Sequence, residues 1–229
     1  MERQEVVCLA LDLKEGYSHG NGFLVENLIV TAGHNHPELE KQKFTAGAER
    51  RKANQLAIPQ GQYLVALDFI NFYFRDIAIS TATQPSNIGK FAERVDLNQR
   101  VILSAMFEES ETSWKRREIP GTITGRSKVK FYERWLLDRL RPIEEEDLAY
   151  QVNFNQKIRK GISGGHVKNE NGETLGVFTA EQGDDEPIGI VYGLFDNLAR
   201  KQIQEILQSR GKGNLPRSIQ PLPNYFRFK

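Results

Sequence analysis

Ser163 lies in Lys160-Gly161-Ile162-Ser163-Gly164-Gly165-His166-Val167, between glycines that let a backbone turn sharply and aim two N–H groups at one point. A serine hydroxyl is a weak nucleophile at neutral pH. It needs an imidazole to take its proton and an acid group to fix that imidazole's tautomer. Both residue types occur upstream at the edges of apolar stretches: Leu28-Ile29-Val30-Thr31-Ala32-Gly33 runs into His34, and Asp76 opens Asp76-Ile77-Ala78-Ile79. In that arrangement Ser163 would attack an acyl carbon, His34 would act as general base and then general acid, and Asp76 would orient His34. The backbone N–H groups of Gly161 and Ser163 would form an oxyanion hole, opposing charge that develops only on the tetrahedral intermediate.

Taken singly, each residue has a structural explanation: a hydrogen-bonded histidine at a strand end, a capping aspartate, a turn hydroxyl. Their order and matching surroundings unite them. His19 and His36 lack the strand-terminal context, His166 is too close to Ser163 in sequence, and Asp68 lacks the Ile-Ala-Ile run. Two imidazoles in His34-Asn35-His36 could share a metal ion, but no further His or Cys pair completes a shell, so no metal is expected. Gly211-Lys212-Gly213 lacks the spacing and strand-to-helix setting of a nucleotide loop, and no cofactor is implied.

The elements that must position these residues read as strands. Val6 to Leu13, Gly22 to Val25, Leu28 to Thr31, Tyr63 to Phe72 and Asp76 to Ser80 are short apolar runs bounded by Gly, Asn, Pro or charge. Glu26-Asn27 reads as a two-residue hairpin turn, with Asn27 suited to positive φ. Thr83 to Asn98 is polar and looks like a crossing. A second set follows at Arg100 to Met106, Ile119 to Gly125, Tyr150 to Asn153, Thr174 to Thr179 and Ile188 to Tyr192. Phe131 to Leu140 and the acidic Glu144 to Leu148 have helical character. Apolar residues at 198, 203, 206 and 207 give the spacing of an amphipathic helix after Asp196. The last segment, 212–229, carries three prolines and reads as an extended tail.

At 229 residues the chain can bury a substantial core. Its 31 basic and 30 acidic residues leave +1, so no global case arises for nucleic acid or an acidic membrane. The basic run Trp114-Lys115-Arg116-Arg117 sits beside Glu108, Glu109 and Glu111 and reads as a solvated loop. Cys8 is the single cysteine, which forbids an internal disulfide and suggests a reducing compartment. No apolar run approaches the ~20 residues of a bilayer span, and the start lacks a basic leader before an apolar stretch. A cytoplasmic location is the expectation.

These neighbourhoods resemble the trypsin-like serine peptidases of the chymotrypsin fold. Gly20-Asn21-Gly22-Phe23-Leu24-Val25 is similar to the family's Gly-x-Gly-Phe strand, and Thr31-Ala32-Gly33-His34 to its Thr-Ala-Ala-His signature. Asp76-Ile77-Ala78 and Gly161-Ile162-Ser163-Gly164-Gly165 resemble its Asp-Ile-Ala and Gly-Asp/Asn-Ser-Gly-Gly elements. The resemblance covers about residues 5 to 208. It implies an all-β fold of two six-stranded antiparallel barrels with a C-terminal α-helix. The first barrel would span 1–90 with His34 and Asp76, the second 91–211 with Ser163, and 212–229 would be the tail. It also implies that Leu175 to Ala180 forms the strand that pairs with substrate backbone, with Thr179, Ala180 and Glu181 lining the substrate site.

The departures shape the functional expectation. Secreted members carry an aspartate before the serine that pairs with an N-terminus released by activation cleavage; here Ile162 stands there. Either the site forms without cleavage or a protein partner switches it. Lys157 falls near the base of the primary pocket and would favour an acidic side chain, while Glu181, Asp184 and Asp185 would favour a basic one. The reading is a serine endopeptidase that cleaves a restricted set of protein or peptide substrates through an acyl-enzyme. Its alternatives are a catalytically inactive peptidase-like binding protein and a hydrolase of non-peptide esters.

Overall fold

The computed structural model describes residues 5–13, 16–26, 28–35, 55–60, 63–67, 70–72, 77–81, 89–110, 113–127, 149–158, 161–181, 188–193, 218–221 and 227–228. Within them the chain is almost entirely β. The first part contains β1 (Glu5–Leu13), β2 (Gly16–Val25), β3 (Leu28–Ala32), a 3-10 turn Gly33–Asn35, β4 (Gln55–Gln60), β5 (Tyr63–Leu67), β6 (Ile70–Phe72) and β7 (Ile77–Thr81). The second contains β8 (Arg100–Ser110), β9 (Ser113–Ser127), β10 (Ala149–Phe154), β11 (His166–Asn169), β12 (Thr174–Glu181) and β13 (Ile188–Gly193). Two short strands, β14 (Ser218–Pro221) and β15 (Arg227–Phe228), come from the tail.

The strands form two sheets. One has eight strands in the order β14-β5-β4-β1-β2-β3-β7-β6, and the other seven in the order β10-β13-β12-β11-β8-β9-β15. Because β9 also pairs with β10, six of those seven strands close into a ring, with β15 added outside in parallel to β9. Among the described residues the eight-stranded sheet has free ends at β14 and β6. Two separate six-stranded barrels are not shown among the described residues: six strands close in the second sheet, and the first sheet is not closed. The tail supplies a strand to each sheet, and the expected single strand over Tyr63 to Phe72 is two strands that lie toward opposite edges. The helices expected over 131–140, 144–148 and 196–207 lie outside the described residues.

Burial follows the sequence pattern. β3 is apolar apart from Thr31, without alternation, and every residue of it is buried, as a strand covered on both faces must be. The β2–β3 hairpin turns at Glu26 with φ 52°, while Asn27, the residue expected to take positive φ, lies outside the described residues. On β8, Val101, Leu103, Ala105 and Phe107 alternate into the second core, where Ile119, Phe154 and Phe178 meet them. The first core gathers Phe23, Val25, Leu28, Val30, Ile77 and Ile79 but also takes in Ala149 and Val177 from the second sheet. Apolar burial therefore crosses between the two sheets along β12 and β3, the surface where the Ser163 turn sits.

Candidate active site

The turn that carries Ser163 is built by two glycines and one isoleucine. Gly161 and Gly164 have φ of +93° and +90°, a region that L side chains resist. A Cβ on Gly164 would also overlap the carbonyl oxygen of Asn21. Between them the buried Ile162 enters the second core and anchors the turn from below. The N–H of Gly164 donates to Phe178 O at 2.8 Å and that of Gly165 to Ile162 O at 2.9 Å, while Phe178 N–H returns a bond to Gly165 O at 2.9 Å. Those donors are committed to holding the turn. The N–H groups of Gly161, Ile162 and Ser163 donate to no other described residue.

Ser163 is half-buried, and its Oγ donates to Thr179 O at 3.1 Å. A bulge makes that contact available: β12 and β13 shift register between Phe178 and Ala180, leaving Thr179 as the extra residue. Thr179 is buried at 3% exposure. Ala180 and Glu181 continue β12, and Lys157 is exposed on the segment after β10.

His34 lies in the 3-10 turn that follows β3, and the description covers its backbone but not its side chain; Asp76 lies outside the described residues. Their neighbours in sequence are nevertheless fixed against the site. Asn35 Nδ2 donates to Ser163 O at 3.0 Å and to Thr31 Oγ1 at 3.0 Å, so the turn bearing His34 touches the turn bearing Ser163. Ile77, which directly follows Asp76, pairs with Ala32, two residues before His34.

Asn21 is a site residue that the sequence reading passed over. It is 2% exposed, and its backbone N–H donates to Ser163 O at 2.7 Å. Its carboxamide accepts from Met106 N at 2.6 Å and donates to Met106 O and Gly161 O, each at 3.1 Å. Thr31 Oγ1 donates to Asn21 O, tying this strand to β3. The signal was present in Gly20-Asn21-Gly22, a polar residue between glycines just before Phe23, but its partners lie 85 and 140 residues away.

No family model matches the chain, and no curated protein sequence matches it. Solved structures do. The Rv3671c protease from M. tuberculosis in its active form superposes with a TM-score of 0.60 at 17% identity, over 93% of this chain and 85% of that one. Its inactive form gives 0.56 at 18% identity, over 90% and 89%. The serine endoprotease from Yersinia pestis gives 0.58 at 17% identity, over 90% of this chain and 64% of that one. The chain has the trypsin-like serine peptidase fold.

Within that fold His166 has a structural place. Its ring stacks on Phe23 at a centroid distance of 4.2 Å, and Nε2 lies 2.9 Å from Thr174 Oγ1. Burial, aided by the nearby Lys168 and Arg116 charges, pushes its pKa down to about 3. It is a neutral core imidazole near neutral pH and does not reach Ser163 Oγ through any described contact. Among the described residues no group of three or more His, Cys, Asp or Glu could hold a metal. None of the helices described is long and apolar enough to cross a membrane.

Proposed function

We propose that this protein is a serine endopeptidase that cleaves protein or peptide substrates by way of an acyl-enzyme. The carrying observation is the Ser163 turn. Two glycines at positive φ present a half-buried hydroxyl, and Asn35, the residue after His34, donates to the carbonyl of that same serine. The fold neighbours, which are proteases, support the reading.

In the resting turn the Ser163 proton is held by Thr179 O. For attack, the imidazole of His34 takes over as acceptor, Asp76 holds that imidazole in the tautomer that can accept, and the freed oxygen adds to the acyl carbon. The N–H groups of Gly161 and Ser163 receive the developing oxyanion, and proton return from His34 releases the amine. A water then repeats the sequence on the acyl-enzyme. Thr179, Ala180 and Glu181 on β12 offer a strand edge for substrate backbone, with Lys157 as a further candidate for side-chain preference. Substrate range is restricted in this reading, and a protein partner is the regulator that fits a site without cleavage-driven activation.

The test is labelling by a fluorophosphonate probe, wild type beside Ser163→Ala, with and without extract of the native cell. Labelling of the wild type and its loss in Ser163→Ala are expected, together with a drop in peptide cleavage of at least about 10⁴-fold. Silence from folded wild-type protein in every condition would leave a peptidase-like binding protein in its place.

A further inference from the structure

We propose that Asn21 is the positioning residue of the oxyanion site: its carboxamide selects the orientation of the Gly161–Ile162 peptide, which links the two peptides that carry the N–H groups of Gly161 and Ser163. The inference rests on the serine-peptidase reading for its kinetic consequence. Its structural part stands on the hydrogen bonds alone.

Glycine at 161 has little intrinsic preference between the two senses of φ, so the conformation at +93° must be chosen by something outside the residue. The described contact that grips its peptide is Asn21 Nδ2 to Gly161 O at 3.1 Å. The amide orientation follows from its partners. Met106 N–H can only donate and so faces Oδ1, whereas Met106 O and Gly161 O can only accept and so face Nδ2. The paired bonds to Met106 fix the carboxamide plane against β8. The third bond carries that rigidity to the turn. The same residue's backbone N–H and Asn35 Nδ2 both donate to Ser163 O, which fixes the peptide on the other side of the nucleophile. Residues 161 and 163, whose N–H groups would meet the oxyanion, are thus held through their carbonyls by one buried side chain and its own backbone.

This arrangement stands where cleavage-activated relatives, in the resemblance drawn above, use a charged pair. Ile162 fills the corresponding position with an apolar side chain in the second core, which anchors the turn but has no polar atom to orient a peptide. Asn21 supplies that orientation from the other sheet.

The sharpest variant is Asn21→Asp, nearly the same shape but with an acceptor facing two carbonyl oxygens. Asn21→Ser is the companion, small enough to leave room for a water and to fold where the aspartate does not. Each is compared with wild type by circular dichroism and thermal melting, and kinetics are read well below the melting point. The expected result is a kcat about 10²-fold lower, with KM changed less than about 3-fold and the pH dependence unmoved. Affinity for a peptide boronate, a mimic of the tetrahedral state, should fall by the same factor as kcat/KM. Hydrogen–deuterium exchange gives a readout that needs no activity: the peptide spanning 159–165 should exchange faster in both variants, while β12 and the residues of β8 other than Met106, whose N–H donates to Asn21, keep their protection. Folded variants that retain kcat within about 3-fold, or that leave exchange at 159–165 unchanged, overturn the proposal. If wild type is inactive yet the variants loosen 159–165 selectively, the positioning role stands and the peptidase reading falls.

Discussion

A buried histidine that stays neutral makes the protein sensitive to acid at one residue. The native His166 has a pKa near 3, held there first by desolvation and then by Lys168 and Arg116, against 6.5 for an ordinary histidine. The unfolded chain therefore takes up a proton below about 6.5 that the native state refuses. Stability is undiminished above 6.5 and falls as the pH drops toward 3, at up to about 1.4 kcal/mol per pH unit. Urea midpoints measured from pH 7 to 4 should show this slope in wild type and its loss in His166→Gln, whose carboxamide can donate to or accept from Thr174. Equal slopes in the two proteins would mean that His166 accepts a proton without unfolding. Its Nδ1 has no hydrogen-bond partner among the described residues, so nothing described at that atom would share the charge.

At the scale of elements, the tail does more than trail from the body. β14 pairs with β5 over Ser218 to Pro221, and β15 pairs with β9 at Ser113 and Trp114, so each sheet gains a strand at an edge. Tyr63–Leu67 is an apolar edge that would otherwise offer its backbone to another chain. Removing residues 218–229 should lower stability by about 2–4 kcal/mol, the loss of a few ladder bonds at about 1 kcal/mol each. It should also produce oligomers by light scattering. A truncated chain that stays monomeric with an unchanged melting temperature would show that neither edge needs covering. The Thr179 bulge is a second device of this kind: one extra residue in β12 turns a carbonyl toward Ser163.

For the whole molecule the question is what holds the nucleophile turn in place. Ile162 does so by burial, and Ala149 and Val177 of the second sheet join the core of the first. In the function proposed above, a site held in this way needs no freed N-terminus. A chain lengthened by about ten residues before Met1 should therefore label at Ser163 as fast as wild type, and a loss of labelling would point to a role for the terminus. Ile162→Asp should do the opposite. An unpaired carboxylate in that core costs several kcal/mol, so the melting temperature should drop sharply and activity with it. Full activity in that variant would mean that a cation already faces the position.

The sequence by itself determined the glycine-flanked turn at Ser163 and most of the strands near it. Glycine at 161 announces a conformation that other residues resist, and a mainly apolar run such as Leu28 to Ala32 announces a strand. β4 with its Pro59, the brief β11 and the tail strands were not legible, since proline and short length argue locally against a strand and only pairing partners overrule them. The tertiary structure alone decided that β9 returns to β10 and closes the ring. It alone assigned Asn21, because a carboxamide has no role until Met106 and Gly161, distant in sequence, are brought within hydrogen-bond reach. Local conformational preference is written residue by residue, whereas the partners of a buried polar group are chosen by the packing of the whole chain.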